Sequence, residues 1–296
     1  MGQDARGVIL TLLGGSCWGF SAACGQYLFS NYHIDASWIT VVRMLGAGLI
    51  LLIINFFGQR EQFTGIWRDS HDRIQLVIFA VCGLMFSQYS FLTAISHSNA
   101  GTAAVLQYLG PVLVMILVCF GGRRLPNGIE ILSIILAVLG TFLLATHGNP
   151  ATMVLSRKGL LWGLLSAVSL AMYTLLPAKL TPRWGSMVVT GFGMLIGGAI
   201  LACLVRVWSI PVALDGKGWL AVSGMVVMGT IMAYTLYLQG VADIGSVRAS
   251  MLASVEPVSA TILSVIWLHT RFLFMDFIGF ACILTTVFLL AKKKEI

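Results

Sequence analysis

The chain has 296 residues, 58% of them hydrophobic and only 10% charged, with a formal net charge of +7. Soluble globular domains average about 25% charged residues, so this chain cannot cover a water-facing surface and its solvent is lipid. The basic residues are scattered over short loops with no basic–aromatic patch, which excludes a nucleic-acid partner and leaves them to set orientation in a membrane.

A helix needs about 20 apolar residues to cross a bilayer. The first qualifying run, 7–29, lacks an A-x-A cleavage site and is followed by others, so it is a retained span and not a cleaved leader. The next nine are 37–57, 74–95, 100–120, 127–146, 159–180, 184–205, 218–240, 246–267 and 274–291. Ten spans put both termini on one face. With the termini inside, inner loops and tails hold eleven Lys and Arg against five outside, as the positive-inside rule requires. Trp38, Trp162, Trp184, Trp208, Trp219 and Trp267 fall near span ends, where an interfacial belt sits. The six cysteines lie within apolar runs at no ligand spacing, which gives buried thiols and no metal site.

Residues 91–117 align without a gap on 237–263, offset by 146 positions. Pro111-Val112 meets Pro257-Val258, and the register runs on to Phe-Leu-Leu-Ala at 142–145 and 288–291. Each copy holds five spans. An odd number means that the second copy enters the membrane from the opposite side. The expected fold is therefore an all-α polytopic membrane protein of ten transmembrane helices, built as two inverted five-helix repeats over 1–148 and 149–296. Transporters use such repeats to build two access states around a site near the midplane.

Trp18-Gly19 in the first span, Arg43-Met-Leu-Gly-Ala-Gly48 in the second, and prolines in the fourth and ninth resemble the drug/metabolite transporter superfamily, EamA type, along essentially the whole chain. The Gly-Glu-Arg-like turns usual after the fourth and ninth spans are replaced by Gly122-Arg123-Arg124 and Leu268-His269-Thr270, so no role of those glutamates carries over. The resemblance implies export of amino acids and related metabolites across the bacterial inner membrane.

Glu256 and Pro257 stand side by side deep in an apolar run. A charge at the bilayer centre costs roughly 2.5–3.5 kcal/mol on insertion scales, so Glu256 faces a cavity, pairs with a cation or stays protonated. Pro257 has no N–H and frees a carbonyl one turn back, near Ala253. Pro111 repeats the bend, with Gln107 and Tyr108 just before it. Pro111 and Pro257 are candidate hinges. Glu256 is a candidate for both substrate binding and proton coupling, against a plain interhelical hydrogen bond. Arg43 either binds a carboxylate with its planar fork, or it snorkels to water or makes a structural tie. Trp18, Tyr89, Tyr108, Tyr173, Tyr234 and Tyr237 offer aromatic faces for an amine, a ring or an apolar side chain, against ordinary packing. The bets are Trp18, Tyr108 and Tyr173, because the first, fourth and sixth spans face the centre in the family. Glycine pairs such as Gly15/Gly19 and Gly46/Gly48 read as close helix contacts. Asp69-Ser-His-Asp72, His97 and Asp243 read as solvated loop residues.

No HExxH, Walker A or partnered G-x-S-x-G motif occurs, so no catalytic residue and no cofactor is assigned. The expectation is a secondary transporter of a small molecule, a monomer or homodimer in the bilayer, with both termini cytoplasmic and driven by a gradient. An importer of an amine or a nucleotide-linked metabolite, an intramembrane enzyme and a non-transporting scaffold are the alternatives.

Overall fold

The computed structural model describes residues 3–58, 60–121, 125–149, 153–245, 248, 249 and 252–292. Among them, eight helices are long and apolar enough to cross a membrane, and two shorter apolar helices follow. In chain order, span 1 is Gln3–Tyr32, span 2 Ala36–Gly58, span 3 Ser70–His97, span 4 Ala100–Gly121 and span 5 Gly128–Thr146. Span 6 is Arg157–Ala178, span 7 Ser186–Val205, span 8 Gly216–Ile244, span 9 contains Val255–Ile266, and span 10 is Phe274–Lys292. Helix is the form an apolar run takes in lipid, because every backbone polar group must find its partner within the chain.

The starts are set by side chains that take orphan N–H groups. Asp69 accepts from the His71 amide, Asn99 from Thr102, Ser156 from Gly159 and Asp215 from Gly218. Asn127 and Glu130 form a reciprocal capping box on span 5. At the equivalent place on span 10, the Leu273 amide donates to the Asp276 carboxylate at 2.8 Å.

The packing is that of two halves exchanged. Span 1 lies along spans 8 and 9, and span 6 lies along spans 3 and 4. Spans 2 and 7, 4 and 9, and 5 and 10 pair with their own counterparts. The first helical segment of each third span ends in a π-helical stretch, Phe79–Met85 in span 3 and Val227–Met232 in span 8, and these overlap in the repeat register.

The protein thus has the two-repeat helical membrane fold expected. The face carrying the termini is called here the terminal face. Two short helices on it, Arg60–Gly65 and Leu180–Trp184, replace expected loops.

Two residues read as solvated are not. Asp72 is buried and accepts from Arg183 at 2.7 Å and from the Trp184 indole at 2.8 Å. The Asp243 side chain is 5% exposed and lies 3.0 Å from Arg6 Nε. Gly7 permits that burial: a Cβ there would stand 2.6 Å from Asp243 Cβ. His97 is exposed, as expected. The turn at 122–124 lies outside the described residues. The other family turn has His269 in the left-handed region at φ 52°, with the Thr270 amide returning to the Ser264 carbonyl at 2.9 Å.

Candidate substrate site

Spans 4 and 9 break at matched places. Span 4 is helical over Ala100–Gln107, turns at Tyr108 and Leu109, and resumes at Gly110–Gly121. Span 9 turns at Ala253 and Ser254 before Val255–Ile266. The reason is local. Pro111 and Pro257 have no amide hydrogen to give and their rings crowd the carbonyl four residues back, which belongs to Gln107 and Ala253 respectively.

The freed Ala253 carbonyl finds two donors. One is the Glu256 amide at 3.0 Å, and the other is the Tyr108 hydroxyl at 2.8 Å. The same hydroxyl lies 3.3 Å from Glu256 Oε2. The two breaks therefore meet, and the tyrosine of one reaches the carboxyl and the Ala253 carbonyl of the other.

Beside this meeting point stands an aromatic wall. Trp18 packs edge-on to Tyr234 at 5.4 Å and tilted to Tyr237 at 5.1 Å. The Tyr234 and Tyr173 hydroxyls are 3.5 Å apart, and Tyr173 lies 5.8 Å from Phe79 in the π-helical stretch of span 3. Trp18, Tyr108, Tyr173, Tyr234, Tyr237 and Glu256 are all half-buried.

Arg43 does not snorkel. It is buried, with Nη2 3.4 Å from the Gly229 carbonyl and Nε 3.5 Å from Thr230 Oγ1. Both partners lie in the π-helical stretch of span 8, where the widened turn presents a carbonyl sideways. Glu256 and Tyr234 are within electrostatic reach of the guanidinium. Two candidates fall elsewhere. Tyr89 packs edge-on to Trp162 at 5.4 Å, in a contact of spans 3 and 6. Gln107 is buried, and no side-chain hydrogen bond to it is seen among the described residues.

One polar residue escaped the sequence reading. Gln26 is buried on span 1, accepts from the Ala100 amide at 2.8 Å and Ser264 Oγ at 3.0 Å, and donates to Thr270 Oγ1 at 2.8 Å. It ties span 1 to the ends of spans 4 and 9 on the face away from the termini. A lone glutamine in an apolar run was its only signal.

A ten-helix membrane fold of two repeats, broken at matched prolines around a polar and aromatic centre, is that of a multi-pass membrane transporter. The chain matches the EamA-like transporter family at residues 5–146 and again at 157–292, and belongs to it. That family is part of the drug/metabolite transporter superfamily. The chain is 35% identical over 295 residues to the "Uncharacterized inner membrane transporter YicL" of Salmonella typhimurium, covering 100% of this chain and 98% of that one. It is 25% identical over 289 residues to the "Uncharacterized transporter YetK" of Bacillus subtilis, covering 94% and 84%. A solved structure described as "Crystal structure of protein" superposes with a TM-score of 0.64 at 18% identity, over 97% of this chain and 99% of that one, a likeness of fold alone.

Proposed function

We propose that the protein is a secondary transporter that exports amino acids or related small metabolites by alternating access, with its halves 1–148 and 149–296 rocking about the centre just described. The terminal face is then the cytoplasmic face of a bacterial inner membrane. The observation that supports this reading is the meeting of Tyr108, the Ala253 carbonyl and Glu256 where both broken spans cross. An unpaired carboxylate is costly in a membrane interior and marks a pathway by default.

On this reading Glu256 receives a substrate ammonium or carries the coupling proton. Trp18, Tyr173 and Tyr234 present faces to a cation or an apolar side chain. Arg43 supplies positive charge for a substrate carboxylate. Pro111 and Pro257 let the broken spans bend as access changes.

An amine without a carboxylate would also suit the aromatic wall and Glu256, which keeps the amine importer as a second reading. The test is a thermal-shift screen of purified protein against amino acids, amines and nucleosides, followed by flux of each hit in proteoliposomes. Stabilisation and outward flux of an amino acid is the expected result. Inward flux of amines alone selects the second reading. Conversion of a hit without translocation makes the protein an enzyme.

A further inference from the structure

Asp69 and Asp215 stand 146 positions apart, the repeat offset. Each caps the third span of its half. Each also reaches the connection between the first two spans of the other half. On the terminal face, Asp69 Oδ2 lies 3.3 Å and Asp72 Oδ2 2.7 Å from Arg183 Nη1, in the span 6–7 connection. On the opposite face, Asp215 Oδ1 accepts from the hydroxyl of Tyr32, at the span 1–2 connection. The two contacts are counterparts across the repeat, and both join one half to the other.

They are not equal. Asp72 is buried and takes both a guanidinium N–H and the Trp184 indole N–H, and Arg183 also lies over the Trp184 ring at 4.9 Å. The Tyr32–Asp215 contact is a single neutral donor on an exposed carboxylate. Both contacts are charge-assisted, since each acceptor is a carboxylate. The terminal-face one is the stronger because its donor is also charged, two carboxylates and a second N–H take part, and Asp72 is out of water.

Both capping aspartates are ionised at neutral pH. The His71 amide holds the Asp69 carboxyl below the usual range, and the Tyr32 hydroxyl does the same for Asp215. A lowered value means that each carboxylate's contribution is present above the ordinary aspartate value of about 3.9 and is lost only as pH falls through the lowered one. Neither capping carboxylate changes charge near neutrality.

We propose that these contacts are a pair of reciprocal latches, Asp69/Asp72–Arg183 closing the terminal face and Tyr32–Asp215 closing the other, and that their unequal strength leaves the resting protein open mainly away from the termini. The proposal rests on the alternating-access reading. Rocking of one half against the other must break one latch while the other stays made, and the weaker one opens more often.

The test is a pair of spin-label distances on the full chain in lipid nanodiscs, with the six native cysteines replaced. Labels at Ser70 and Pro182 report the terminal face, and labels at Asn31 and Lys217 the opposite face; all four residues are exposed. The unsubstituted latches should give one short Ser70–Pro182 distance and an Asn31–Lys217 distribution with a longer component. Arg183→Gln should raise the long Ser70–Pro182 population by about five- to thirtyfold while shortening the other pair. Tyr32→Phe should lengthen only Asn31–Lys217. Asp72→Asn, which keeps an acceptor for the Trp184 indole but loses the charge facing Arg183, replaces Arg183→Gln if that protein does not fold. Unchanged distances in Tyr32→Phe and in whichever terminal-face variant folds, or lengthening of both faces together, overturns the latches. Substrate flux by the unsubstituted protein is measured in parallel. Flux with unresponsive distances discards the latches and keeps the transporter reading, whereas absent flux tells against that reading.

Discussion

Gly19 of span 1 lies directly on the backbone of span 9 beside Glu256: a methyl group at Gly19 would stand 2.7 Å from the Glu256 carbonyl oxygen and 2.7 Å from the Ala260 amide nitrogen. Backbone cannot give way as a side-chain tip can. Gly19→Ala should therefore push span 1 off span 9 and destabilise the protein by about 1–3 kcal/mol, the usual cost of overpacking. Gly46 looks similar in sequence but has only Val226 methyls at 3.5 Å and beyond. Gly46→Ala should be neutral or slightly stabilising, since alanine favours helix. Thermal unfolding in one detergent compares them, and equal melting temperatures would refute the distinction.

The second prediction separates the polar meeting point from the aromatic wall. Tyr108→Phe keeps the ring and loses the hydroxyl that reaches Ala253 and Glu256. It should cost about 0.5–1.5 kcal/mol in stability, the net worth of one hydrogen bond. Trp18→Ala removes the ring that joins Tyr234 to Tyr237. Loss of a cation–π face should weaken substrate binding by about 0.5–2 kcal/mol, a few- to thirtyfold in affinity. Thermal unfolding reads the first, and titration calorimetry with the substrate found in the screen reads the second. Unchanged affinity in Trp18→Ala would return that side chain to ordinary packing.

The spans were legible because lipid leaves a helix little freedom in length or composition. The repeat was legible from Pro111 and Pro257, whose missing amide hydrogens mark the same break in both halves. The carbonyl freed at Ala253 followed from that chemistry alone. What could not be read was pairing between distant segments. Nothing near Asp72 in sequence shows that Arg183 and Trp184 will cover it, and nothing near Asp243 announces Arg6. Tyr89 and Tyr173 are both mid-span tyrosines, and only helix rotation sends one to Trp162 and the other to Tyr234. The π-helical stretches escaped because one added residue per turn has no composition signal. They matter because one of them holds Arg43, for which the sequence allows a structural tie beside snorkelling and a ligand role.

Orientation gives the third prediction. Asp4 begins the terminal face, 78% exposed at its side chain, and His97 is exposed at the end of span 3 on the other. Single cysteines at the two positions, in a background without the native six, should differ in intact cells. An impermeant thiol reagent should label only the one at His97. Labelling only at Asp4 would invert the protein, and labelling at both would break the ten-span topology.

The last prediction concerns Glu256. It sits at the start of the helical stretch after the break, with the Tyr108 hydroxyl at 3.3 Å and no ion pair to Arg43 among the described residues. Two roles compete there. A carboxylate that stays ionised would bind a substrate ammonium directly. A carboxyl that gains and loses a proton would couple transport to the pH gradient as access alternates. Glu256→Gln keeps the shape and can still accept from Tyr108, but it can neither titrate nor carry charge. If the proton role holds, the variant should bind substrate with near-normal affinity and exchange it across proteoliposomes, yet fail to concentrate it when a pH gradient is imposed. If the ammonium role holds, binding itself should collapse, by more than the few-fold change expected from a hydrogen bond alone. Gradient-driven transport at the unsubstituted rate would exclude both roles. Glu256 would then be an interhelical hydrogen bond that holds spans 4 and 9 together at their breaks.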